Sequence, residues 1–101
     1  MVKRKIIWSP RAKSALLGIL DYYLKRNGSK TYSNKLNASL RTSIRLLENH
    51  PELGVKADIK NVRVLIHGDY AIFYKISEET IELITIWDSR QDPRKLDIKN
   101  K

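Results

Sequence analysis

Five side chains in the second half of the chain have the chemistry to act on a phosphate: Arg63, His67, Tyr70, Tyr74 and Arg90. Metal-free cleavage of RNA needs a group to deprotonate a 2′-hydroxyl, cations to stabilise the pentacoordinate phosphorus, and an acid for the leaving oxygen. Arg90 is the leading cation. It follows the apolar run Thr80–Trp87 within Asp88-Ser89-Arg90-Gln91-Asp92-Pro93, where a strand ends in a charged segment and an arginine at the sheet rim can meet an anion. An ion pair with Asp88 or Asp92 is the equally weighted alternative. Arg63 and His67 share a strand face, but four residues of extended chain separate them by ~13 Å, too far to hold one phosphate together unless the strand bends. Arg63 has a structural alternative as an outward strand residue paired with Asp58 or Glu82. His67 precedes Gly68 and is expected as a solvent-exposed turn histidine. Tyr70 and Tyr74 have the parity of Ile72 and Ile76, which points at least one of them into the core.

Other chemistries find no residues. There is no glycine-rich phosphate loop and no Gly-x-Ser-x-Gly nucleophile signature. His50 and His67 stand without cysteine or carboxylate at ligand spacing, so neither a metal centre nor a cofactor is expected. No complete catalytic set emerges, and the catalytic candidates reduce to Arg90, Arg63 and His67.

The elements that position these residues follow from periodicity. Lys3–Trp8 reads as a first strand. Ser9-Pro10 is a helix start, with Ser as N-cap and Pro at the first helical position, and the helix runs Pro10–Arg26 to stop at Asn27-Gly28. Ala12, Ala15, Leu16, Ile19 and Tyr23 form one apolar face, and Leu17, Leu20 and Leu24 form a neighbouring one. Such a wide apolar surface implies a helix wedged between two elements, or leucines left for a partner. A second helix is expected over Ser29–Asn49, with Tyr32, Leu36, Leu40, Ser43, Ile44 and Leu47 buried and Arg41 and Arg45 on the opposite face. Pro51-Glu52-Leu53-Gly54 reads as a turn. Val62–Ile66, Tyr70–Ile76 and Ile81–Trp87 are strands joined by short turns, hence an antiparallel meander. The reading is one α+β domain over residues 1–101, β-α-α-β-β-β, a helical hairpin on a small, mostly antiparallel sheet, with a frayed tail over 94–101. Helices cover one sheet face, leaving the other as a binding surface.

The chain has 101 residues and a formal net charge of +9. Residues 1–50 hold 11 Lys/Arg against 2 Asp/Glu, whereas residues 51–101 hold 9 of each. The excess therefore belongs to the first strand and the helices, which points to an anionic partner, either nucleic acid or an acidic protein. Zero cysteines exclude a disulfide framework. No apolar run suits a signal peptide or a membrane span, so a cytoplasmic protein with no membrane partner is expected.

Several segments taken in order resemble the RelE/ParE superfamily of bacterial type II toxin–antitoxin toxins. They are Ile7-Trp8-Ser9-Pro10-Arg11-Ala12, Pro51-Glu52-Leu53-Gly54, Val62-Arg63-Val64-Leu65, Gly68-Asp69-Tyr70-Ala71-Ile72-Phe73-Tyr74 and Ile84–Pro93. The resemblance spans about residues 3–95 and is nearer the ParE-like branch. It implies a toxin neutralised by a cognate antitoxin, with Leu17, Leu20, Leu24, Arg41 and Arg45 as antitoxin contacts. It also implies an intracellular target, either DNA gyrase for ParE-like members or mRNA on the ribosome for RelE-like nucleases. Target contacts are then expected at Arg63, Tyr70, Tyr74, Trp87 and Arg90. The nuclease branch typically carries basic residues where this chain has Val62, Val64 and Ala71, which favours action by binding over catalysis. A non-toxic basic nucleic-acid-binding domain is the third reading, resting on charge alone.

Overall fold

The computed structural model describes residues 3–89. Its elements are β1 (Lys5–Trp8), α1 (Pro10–Asn27), α2 (Thr31–Leu46), a 3-10 turn (Pro51–Leu53), β2 (Val55–Lys56), β3 (Val62–His67), β4 (Tyr70–Ile76) and β5 (Thr80–Asp88). The sheet order is β1-β5-β4-β3-β2. All pairings are antiparallel except that of β1 with β5. This is the expected α+β architecture with one addition. The two-residue β2 was not legible, because a pair of residues carries no periodicity.

Ser9 ties the helical layer to the sheet. Its hydroxyl accepts the Ala12 N–H at 3.0 Å, capping α1, and donates to the Ile84 carbonyl at 2.9 Å. Ile84 is the extra residue of a β-bulge, since Phe73 pairs Thr85 while Tyr74 pairs Leu83. The bulge turns a carbonyl out of the ladder, and the cap satisfies it. Helix α1 ends at Gly28, whose φ of 66° is the left-handed conformation that glycine adopts without a Cβ clash. Only Gly28, Ser29 and Lys30 join it to α2. Lys30, not Ser29, therefore occupies the cap position, and the Ser29 hydroxyl accepts the Thr31 N–H at 3.3 Å. Helix α2 stops three residues short of the expected Asn49. The Leu47 N–H turns back to the Ile44 carbonyl at 3.0 Å, tightening the chain ahead of Pro51.

The core lies between the helices and one sheet face. Ala12, Leu16 and Tyr23 of α1 and Leu40 and Ile44 of α2, with Leu47 just beyond it, meet Tyr70, Ile72 and Tyr74 of β4 and Ile81, Leu83 and Ile86 of β5. Of the two explanations for the wide apolar surface of α1, wedging accounts for most of it, since Leu20 packs against the core cluster. Leu17, 66% exposed, remains outside. Tyr32, expected in the buried stripe of α2, is exposed, and its ring instead lies edge-on to Tyr23 at 4.7 Å.

Candidate functional site

The strand register decides which candidate residues can act together. Arg63 pairs Tyr74, Leu65 pairs Ile72 and His67 pairs Tyr70, so Arg63 and His67 share the helix-covered face, as read from the sequence. Val64 pairs Phe73 and Ile66 pairs Ala71, while Ala71 in turn pairs Trp87, so these residues and Val62 project from the opposite face. The charged residues that the register places on that opposite face are Lys5 of β1, which pairs Thr80, and Lys75 and Glu82, a cross-strand pair in register with each other. The sheet therefore separates Arg63 and His67 from Val62, Val64 and Ala71, on whose face Lys75 is the cross-strand partner of Val62.

Arg63 is a clip for the segment before β2. Its Nη1 donates to the Gly54 carbonyl at 2.6 Å and to the Glu52 carbonyl at 3.4 Å. The expected ion pair with Asp58 or Glu82 is not what holds it. Arg63 points to the covered face, where backbone carbonyls of the 3-10 turn lie within reach. His67 also departs from expectation. It is half-buried, with Nε2 2.7 Å from Ser39 Oγ and Nδ1 2.8 Å from Ser43 Oγ. The two serines lie one helical turn apart on α2, so their hydroxyls flank the imidazole.

Tyr70 and Tyr74 are core residues, at 4% and 0% exposure, which corrects their expected place among target contacts. The Tyr70 hydroxyl donates to Tyr23 Oη at 3.2 Å. The Tyr74 hydroxyl donates to the Pro51 carbonyl at 2.7 Å and accepts the Gly54 N–H at 2.9 Å. Burial pushes the Tyr74 phenol above the ordinary tyrosine value, a shift that the Gly54 N–H and the nearby Arg63 charge oppose. A Cβ on Gly54 would lie 2.7 Å from both Tyr74 Oη and the Val64 carbonyl oxygen, so glycine is required there by close approach. Pro51-Glu52-Leu53-Gly54, read as a plain turn, is a receptor for a buried tyrosine. Trp87 is half-buried beside Ala71. Arg90 lies outside the described residues.

The helical layer presents the other candidates. Leu17 is exposed, and Leu20 and Leu24 are half-buried. Arg41 stacks over Trp8, 5.1 Å from the ring centroid, and its Nε donates to Asn37 Oδ1 at 2.9 Å. Arg45 is exposed beside it, and both arginines line a hollow of about 120 Å³ with Ile6, Trp8, Ile44 and Glu48. A larger groove of about 900 Å³ runs between α1 and the end of β5, with Arg11, Tyr22, Tyr23, Tyr70, Trp87 and Asp88 among its lining residues. Sequence reasoning did not find this groove. It forms where two distant segments meet, and its aromatic residues are spread through the chain. Among the described residues no three His, Cys, Asp or Glu side chains gather as a metal site, and no helix is long and apolar enough to cross a membrane.

Comparison with known proteins bears on this geometry. The family model for the ParE toxin of the type II toxin–antitoxin system parDE matches residues 6–93. No curated protein sequence matches the chain. Among solved structures, the chromosomal ParDE toxin–antitoxin system from P. aeruginosa superposes with a TM-score of 0.73 at 17% identity, covering 83% of this chain and 94% of that one. The RelBE2 toxin–antitoxin complex from Mycobacterium tuberculosis gives 0.61 at 16% identity, covering 87% and 93%. The E. coli DinJ–YafQ complex gives 0.56 at 12% identity, covering 88% and 96%. At these identities the structural likeness concerns the fold.

Proposed function

Since the chain belongs to the family of ParE toxins of type II toxin–antitoxin systems, we propose that it arrests growth by binding an intracellular protein target, DNA gyrase, rather than by cutting RNA. One observation carries this reading. Val62, Val64 and Ala71, which stand where nuclease relatives typically carry cations, lie together on the face turned away from the helices, while Arg63 and His67 are engaged on the other. A phosphoryl-transfer surface needs positive charge aimed at the developing phosphorane, and apolar side chains supply none. Arg90 is then a target contact, together with Trp87 three residues before it.

The same reading assigns a cognate antitoxin to the helical layer. Leu17 offers an apolar anchor, and Arg41 and Arg45 offer charge for an acidic segment that folds on binding. Leu20 and Leu24, half-buried, contribute less surface.

The competing reading is a ribosome-dependent mRNA endonuclease built on Arg90. Induced expression followed by primer extension on translated transcripts separates the two. Growth arrest with intact transcripts supports binding, and cuts at fixed codon positions would overturn it.

A further inference from the structure

The His67 clamp has the geometry of an activated nucleophile, and nothing in the proposed function uses it. We propose that Ser39 is an acyl-acceptor serine, with His67 as its general base and Ser43 as the residue that positions the ring. The Ser39 Oγ to His67 Nε2 distance of 2.7 Å is within proton-transfer reach, and Ser43 Oγ at 2.8 Å holds Nδ1. In the tautomer with its proton on Nδ1, the ring donates to Ser43 and accepts from Ser39. That is the order nucleophile, base, orienting group that serine activation requires. Exposure assigns the roles: Ser39 is open to solvent, whereas Ser43 is half-buried.

The backbone keeps this arrangement rigid. Ser39 and Ser43 sit inside α2, and His67 closes the β3–β4 hairpin opposite Tyr70, just before Gly68 at φ 60°. The same backbone limits the chemistry. Amides inside a helix are spent in its hydrogen-bond ladder, so the α2 backbone offers Ser39 no oxyanion hole. The site therefore requires an activated acyl donor, such as a thioester or acyl phosphate, whose good leaving group lowers the barrier that oxyanion donors would otherwise lower. In the step, Ser39 Oγ bonds to the carbonyl carbon, the bond to the leaving group breaks with its electron pair, and the hydroxyl proton passes to His67 Nε2 and then to water.

A fluorophosphonate probe tests this on the whole chain, with phosphorus in place of carbon and fluoride as the leaving group. One equivalent of label is expected, and peptide mass mapping should place it on Ser39 in preference to the exposed Ser14 and Ser29. His67→Ala should slow labelling about a hundredfold, within the range of general-base contributions, and added imidazole should restore part of the rate. Ser43→Ala should slow labelling without moving it. Labelling spread evenly over exposed serines, labelling on Ser43, or an unchanged rate in folded His67→Ala would each overturn the proposal. The serine mapping needs no variant, so a failure of His67→Ala to fold leaves the test intact.

Discussion

Tyr74 shows how one hydroxyl can fix a loop. It donates to the Pro51 carbonyl and accepts the Gly54 N–H with none of its surface exposed. Tyr74→Phe leaves both groups buried without that partner, and chemical denaturation should show a loss of about 1–3 kcal/mol. The pH dependence has a definite sign. The folded-state pKa is raised above the ordinary 10.0, so the phenol ionises first in the unfolded chain. Its contribution is complete below about pH 10 and is lost as pH rises through the folded-state value. The stability gap between wild type and Tyr74→Phe should therefore be constant at neutral pH and change only in alkaline solution. Gly54→Ala places a Cβ against Val64 backbone and Tyr74. A cost of about 1–3 kcal/mol by the same denaturation measurement is expected from such overpacking. The parity of Tyr74 with Ile72 made its burial legible in the sequence. Its partners were not, because the bonds cross 20 and 23 residues of chain.

At the level of elements, caps and periodicity located both helices and four of the five strands, since Ser9-Pro10, Asn27-Gly28 and β-branched runs are local signals. The bulge at Ile84 is not local: it depends on how β5 registers against β4. Ser9 joins the two kinds of information, because the N-cap that the sequence announces also satisfies the bulge carbonyl. Ser9→Ala should thus cost more than the ~1 kcal/mol of a lost cap, and thermal unfolding against a double variant at another α1 position would separate the two contributions. Arg63 taught the opposite lesson. Its alternation placed it on a face correctly, yet the carbonyls it meets belong to a turn whose conformation the sequence did not reveal.

At the level of the molecule, the charge asymmetry becomes spatial. The basic first half builds β1 and both helices, and the balanced second half builds most of the sheet. The protein thus has a basic helical layer and a sheet face of mostly apolar residues. Association with an acidic antitoxin should therefore be steered by salt-sensitive attraction. Arg45→Glu is expected to slow association on the order of tenfold at low salt and much less at high salt, measurable by surface binding kinetics. Arg45 is preferable to Arg41 for this purpose, because Arg41 also packs on Trp8.

The central claim concerns the other layer: the sheet face turned away from the helices is proposed as the binding surface for gyrase, because Arg63 and His67 project from the covered side. Plasmid supercoiling by purified gyrase, titrated with this protein, tests it most directly. The account predicts that supercoiling falls in proportion to added protein and recovers when antitoxin is supplied. Supercoiling unchanged at saturating protein would contradict it.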